Sequence, residues 1–122
     1  MHEVSLVQSL LNQVERLREA HGGTTVTRIE VEIGPLSGVE PVLVREAFDL
    51  LVADSDWPAA ELVIDEVPLS ARCKQCDATF NIESFRFECP QCGSRAVNVT
   101  RGDQFRLLNV TLETPQPMES PA

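Results

Sequence analysis

No apolar run in this chain approaches the roughly 20 residues that a bilayer-spanning helix needs, so no transmembrane anchor is expected. The first segment, MHEVSLVQSLLNQVERLREAHGG, has no basic leader and breaks its apolar residues with Glu3, Gln8, Asn12, Glu15 and Arg16, which argues against a secretory signal. A cytoplasmic protein is the expectation. Histidine is scarce: besides His2 and His21 there is none. With no other imidazole to serve as a base, no glycine-rich phosphate loop and no H-E-x-x-H helix, the parts of a catalytic constellation are missing, and the chain reads as a non-enzyme. Positive charge is short as well. The net charge is −9, and residues 1–69 carry thirteen acidic side chains against four basic ones, whereas residues 70–101 are slightly basic at +2. A nucleic-acid partner would need a basic stripe to displace counterions from phosphates, and none is available.

What the 122 residues do contain, at 43% apolar and 24% charged, is enough for one core and a small annex. Val4, Leu6, Val7, Leu10, Leu11, Val14, Leu17 and Ala20 recur at spacings of mostly three and four, which predicts an amphipathic helix over 3–21. Gly22 and Gly23 end it, and His21 sits where an imidazole complements the helix C-terminus. Residues 25–33 alternate, with Thr27, Ile29, Val31 and Ile33 on one face and Glu30 and Glu32 on a face expected to be solvated. Gly34, Pro35 and Gly38 mark a loop. Val39, Leu43, Val44, Ala47, Phe48 and Leu51 then predict a second helix, with Glu40 at its cap and Pro41 as its first residue. Strands are expected over 61–69 and 104–113. Pro115, Pro117 and Pro121 make residues 115–122 a tail expected to be disordered.

Cys73, Cys76, Cys89 and Cys92 form C-x2-C-x12-C-x2-C. Cysteines two residues apart can turn both sulfurs toward one point, and the chain between the pairs is expected to form a hairpin that brings them together. In a reducing compartment this pattern favours a metal over disulfides. Four thiolates suit a structural zinc, with iron as the competitor. A closed four-thiolate site has no open position at which to activate water, so the function should lie elsewhere. Taken alone, the pattern also fits a zinc-ribbon regulatory or interaction module, or with iron a rubredoxin-like electron carrier.

The amino terminus offers a second donor set. The Met1 amine, the His2 amide nitrogen and the His2 imidazole can close small chelate rings, and nitrogen donors in a plane suit nickel(II) and copper(II). Binding requires the amine and imidazole to shed protons, so affinity falls in acid. A solvent-exposed histidine on a frayed terminus is the bland alternative.

The Met1-His2-Glu3 start, the helix opening Val4-Ser5-Leu6, the run from Glu32 through Gly34-Pro35-Leu36-Ser37-Gly38-Val39 to Glu40, and the two cysteine pairs, taken together, resemble the HypA family of hydrogenase maturation nickel chaperones over nearly the whole chain, to about Leu112. The resemblance implies an α/β nickel-binding domain built on a three-stranded mixed sheet with two helices, into which a zinc-ribbon-type domain is inserted. The expected boundaries are 1–69 with 102–114 for the nickel domain and 70–101 for the zinc domain. It implies transient nickel(II) held by His2, with the backbone nitrogens of His2 and Glu3 and the Glu3 carboxylate as further donors; the Met1 amine joins them on the chelate-ring argument alone. Glu40 lies where an acidic residue near the nickel is plausible, against its role as a helix cap. Cys73, Cys76, Cys89 and Cys92 are the implied zinc ligands. The implied partners are a HypB-type GTPase and the large subunit of nickel-iron hydrogenase, with the chain itself a monomer or homodimer.

Overall fold

A computed structural model describes residues 2–23 and 25–113; the tail expected over 115–122, and Met1, lie outside the described residues. The elements run α1 (His2–Ala20), β1 (Thr25–Ile33), α2 (Pro41–Val52), β2 (Glu61–Glu66), β3 (Ser70–Cys73), β4 (Thr79–Asn81), β5 (Val97–Arg101) and β6 (Phe105–Glu113). One three-stranded sheet has the order β2-β1-β6 and a second the order β4-β3-β5. Two helices and a mixed three-stranded sheet, the expected α/β core, are therefore present.

Among the described residues, contacts divide the chain into two compact units, one holding residues 2–23, 25–31, 40–63 and 107–113, the other residues 32–39 and 64–106. The expected boundaries at 69/70 and 101/102 fall inside the second unit, because the loop after β1 is bonded to the chain that precedes β6. Gly34 N–H donates to the Gln104 carbonyl (3.1 Å) and Leu36 N–H to the Gly102 carbonyl (2.8 Å).

In the first unit, α1 and α2 pack on each other. Val7, Leu10, Leu11 and Val14 form the buried stripe of α1, and Val44, Ala47, Phe48 and Val52 that of α2. The end of α1 is a Schellman cap. Gly22 at φ +65° donates to the Glu19 carbonyl and Gly23 to the Arg18 carbonyl, which satisfies carbonyls the helix would leave bare. His21 is part of this end, its Nδ1 2.9 Å from the Leu17 carbonyl. At the start of α2, Glu40 takes the extended backbone of a cap (φ −94°, ψ 118°) ahead of Pro41, but its side chain makes no capping bond.

Trp57, the chain's one tryptophan, is buried in this unit and donates from Nε1 to Glu15 Oε1 at 2.9 Å. Arg18 binds both Glu15 oxygens from the next turn of α1. The Arg18 guanidinium, and after it the Trp57 N–H, lower the Glu15 pKa from its ordinary 4.5 to about 2. A pKa lowered by folding gives stability that is complete above the ordinary value and lost as pH falls toward the folded one. Glu15→Gln is expected to lower the urea midpoint at neutral pH and to flatten its fall between pH 4.5 and about 2, read from Trp57 fluorescence. Parallel pH curves for the two proteins would refute this.

In the second unit, β3 pairs antiparallel with β4 (Ser70 opposite Asn81, Arg72 opposite Thr79) and with β5 (Arg72 opposite Asn98, Cys73 opposite Val97). The chain between the cysteine pairs does not form the expected hairpin on itself: it holds one strand, β4, which pairs with β3 leading into the first pair, and β5, which follows the second pair, closes the other edge of β3. The apolar centre here is small, Leu69, Ala71 and Ile82 with Phe80, Val97 and Val99 against them.

Alternation along β1 placed Glu32 on a solvated face, and the structure corrects this: Glu32 is 2% exposed. The strand's burial runs on through Val31, Glu32 and Ile33 without a wet side. What makes the burial tolerable is a pair of cations, Arg101 Nη2 at 3.1 Å and Arg106 Nε at 3.5 Å from the two carboxylate oxygens. Arg101 first, then Arg106, hold the Glu32 carboxyl below the usual carboxylate range against the opposing effect of burial. Glu30, on the other unit, is half-buried and accepts from Asn109 Nδ2 at 2.9 Å.

Candidate metal centre

Two turns of the same construction hold the four cysteines. At the first, Cys73 N–H donates to the Ala78 carbonyl (2.9 Å), Asp77 N–H to the Cys73 carbonyl (3.0 Å) and Gln75 N–H to Cys73 Sγ (3.3 Å). Sixteen residues on, the pattern repeats: Cys89 N–H to the Ser94 carbonyl (2.9 Å), Gly93 N–H to the Cys89 carbonyl (2.8 Å), Gln91 N–H to Cys89 Sγ (3.4 Å). The residue after the second cysteine of each pair is left-handed in both turns, Gly93 at φ +75° and Asp77 at φ +65°. Glycine adopts this conformation freely and aspartate is among the side chains that tolerate it. Asp77 escaped notice in the sequence because only Gly93 looks like a turn residue. Laying one cysteine pair over the other would have found it.

The four sulfurs all lie within 4.8 Å of one another. Cys73 Sγ is 3.6 Å from Cys92 Sγ, and Cys76 Sγ is 3.7 Å from Cys89 Sγ. A tetrahedron with zinc–sulfur bonds of about 2.3 Å has edges of about 3.8 Å, so the cluster fits a zinc ion. Cys73 and Cys89 are buried, while Cys76 and Cys92 are exposed. The Cys76 backbone N–H, and after it that of Gln75, favour the Cys73 thiolate against burial and hold its pKa at about 7. For Cys92 the Ser94 N–H favours the thiolate, but Cys73 and burial, followed by Cys76 and Cys89, outweigh it and push the pKa up to about 12. Four sulfurs this close do not take up four charges without a cation among them.

The candidate nickel residues lie in the first unit. His2 is exposed at the first position of α1, and Glu3 follows it, half-buried. Glu3 Oε2 accepts the Glu40 N–H at 3.3 Å, which ties the start of α1 to the start of α2. That bond uses the Glu40 backbone, not its carboxylate. Among the described residues, no second group of three or more histidine, cysteine, aspartate or glutamate side chains converges as the cysteines do.

The HypA model, described as hydrogenase/urease nickel incorporation, metallochaperone, matches residues 1–112. The chain belongs to the HypA family. Similar HypA proteins named hydrogenase maturation factors include one from Chlorobaculum parvum, 35% identical over 93% of this chain and 100% of its own length. Another, from Shewanella oneidensis, is 34% identical over 93% of this chain and 96% of its own. Among solved structures, the HypA nickel metallochaperone of Helicobacter pylori superposes with a TM-score of 0.69 at 27% identity, covering 93% of this chain and 98% of that one. The HypA run Gly34–Val39 has a structural explanation here. A Cβ on Gly34 would lie 2.2 Å from the Gly102 carbonyl carbon and oxygen, and Ser37 Oγ bonds both the Gly34 carbonyl (2.7 Å) and Val39 N–H (3.2 Å).

Proposed function

We propose that this chain carries nickel(II) on its amino terminus and delivers it to the large subunit of nickel-iron hydrogenase in the cytoplasm, working with a HypB-type GTPase and without catalysis of its own. The observation that carries the reading is the place of His2, exposed at the first position of α1 in a chain of the HypA family. The first N–H groups of a helix have no intrahelical acceptor. The His2 and Glu3 nitrogens can therefore become metal donors without breaking a helical bond, alongside the His2 imidazole and the Met1 amine. Few side-chain ligands and a site at a chain end suit an ion that must be released, whereas the thiolate cage suits one that stays. Glu3, already bonded to the Glu40 N–H, serves first as the anchor of this end. On this reading the nickel function belongs to 1–69 with 102–114 and the zinc function to 70–101, with Cys73, Cys76, Cys89 and Cys92 as ligands that organise the chain.

The test is to measure nickel and zinc together. His2→Ala, and separately a peptide tag placed ahead of Met1, are expected to weaken nickel binding by about 100-fold or more, since even outer-shell changes cost 10- to 100-fold. Zinc content and circular dichroism should not change. Undiminished nickel uptake by either protein in equilibrium dialysis would reject the assignment.

A further inference from the structure

The exposed face of α2 is unlike that of α1. Val42, Leu43 and Leu50 are 62%, 45% and 68% exposed, although solvent-facing positions on a helix of this kind are ordinarily polar. Leu43 and Leu50 are seven residues apart and so lie on one side of the helix. Together with Val4 of α1 and the buried Ala47 they line a groove of about 210 Å³. Glu3 and Glu46 form its rim, with no cation of this chain among its lining residues. A groove of this size is below the range of cofactor pockets but suits one large side chain.

We propose that this groove docks a protein segment that presents one large aliphatic or aromatic side chain flanked by lysine or arginine. The apolar floor supplies the site for the anchor, because a buried anchor in a small pocket is where interface energy concentrates. The acidic rim selects the flanks: Glu3 and Glu46 repel an acidic segment and attract a basic one, and the excess of acidic side chains over residues 1–69 speeds approach of the same partner. A second copy of this chain is the poorer occupant, because its surface over those residues carries the same sign of charge. Glu3, adjacent to His2 in α1, contributes to the rim, so a docked segment sits beside the end of the chain assigned to nickel. The value of that position for transfer rests on the nickel reading; the docking does not.

The experiment uses the full-length, zinc-loaded protein and a fluorescent amphipathic lysine–leucine peptide, with a glutamate–leucine peptide as its counterpart, followed by anisotropy. The lysine–leucine peptide is expected to bind. Leu43→Ser combined with Leu50→Ser should weaken it by about tenfold or more, as loss of a hot-spot contact does, and Glu46→Lys should weaken it and admit the glutamate–leucine peptide. Both changes are at exposed positions, and zinc content and Trp57 fluorescence verify the fold. Equal binding of the two peptides by the unmodified protein, or unaltered binding by the leucine double variant, would overturn the proposal. So would a dimer in sedimentation velocity that the leucine double variant abolishes, since the groove would then be covered by a second copy. Nickel is measured on the same samples: nickel kept with docking lost speaks only to the groove, and nickel lost from His2→Ala with docking kept speaks only to the metal.

Discussion

Cys76→Ser is expected to empty the thiolate cluster of zinc and unfold the chain around it while the fluorescence of Trp57 stays native. The magnitude follows from comparing what holds each unit together. Around the cysteines the buried apolar side chains are Leu69, Ala71 and Ile82, and full burial contributes about 1.5–3 kcal/mol for each of the larger two. A unit with so small an apolar centre ordinarily needs a metal or disulfides to stay folded. Zinc bound by four thiolates contributes on the order of 10 kcal/mol of folding free energy in small zinc domains, more than the apolar centre supplies. In the first unit the balance is different, because Val7, Val14, Ile29, Val31, Val44 and Phe48 are all essentially inaccessible, and Trp57 belongs to that set. The measurement is zinc content together with amide hydrogen exchange. Protection should vanish over β3, β4 and β5 and persist in α1 and α2; retained protection in β3 without zinc would show that the metal is dispensable to the fold.

Gly34→Ala is expected to be the most damaging of the glycine-to-alanine changes in this chain. Its Cβ would lie 2.2 Å from the Gly102 carbonyl carbon and oxygen and 2.3 Å from the Gly102 Cα. All three are backbone atoms, so no side chain can swing aside, and Gly102 is itself hemmed in, its own notional Cβ 2.7 Å from the Leu69 Cα. The segments must part, which breaks the Gly34–Gln104 and Leu36–Gly102 bonds. A loss of about 3 kcal/mol, the upper end for overpacking, is a large part of the 5–15 kcal/mol that domains have. Gly38→Ala is the control. Gly38 has φ +76° but nothing within 4 Å of its notional Cβ, so only the left-handed backbone is penalised, at about 1 kcal/mol. Urea unfolding followed by circular dichroism should rank the two in that order, and equal losses would mean that conformation, not space, is what the Gly34–Gly38 run requires.

The helices were legible because their apolar spacing and their punctuation agreed. Gly22-Gly23 closes α1 and Pro41 opens α2, and each of these residues acts through backbone physics confined to a single turn. The strands β1 and β6 were legible as alternations, but β1 misled at Glu32. A period of two reports which residues share a face; it does not report whether both faces are covered. The basic partners that make a buried Glu32 tolerable, Arg101 and Arg106, lie about seventy positions along the chain, and no local pattern connects them.

By itself the amino-acid sequence determined the two helices and their ends, the acidic and apolar character of the first unit, the convergence of Cys73, Cys76, Cys89 and Cys92, and through the Met1-His2-Glu3 start and the Gly34–Val39 run its likeness to the HypA family. These are properties of neighbours along the chain, or of spacings short enough for one turn to close. Only the tertiary structure decided that Glu32 is buried, that residues 32–39 belong with the unit that holds the four cysteines, that Gly34 is required for space, that Asp77 mirrors Gly93, and that Leu43 and Leu50 stand uncovered beside Val4. Each of these depends on which distant segments meet, and such contacts are selected by the packing of the whole chain rather than by any window of its sequence.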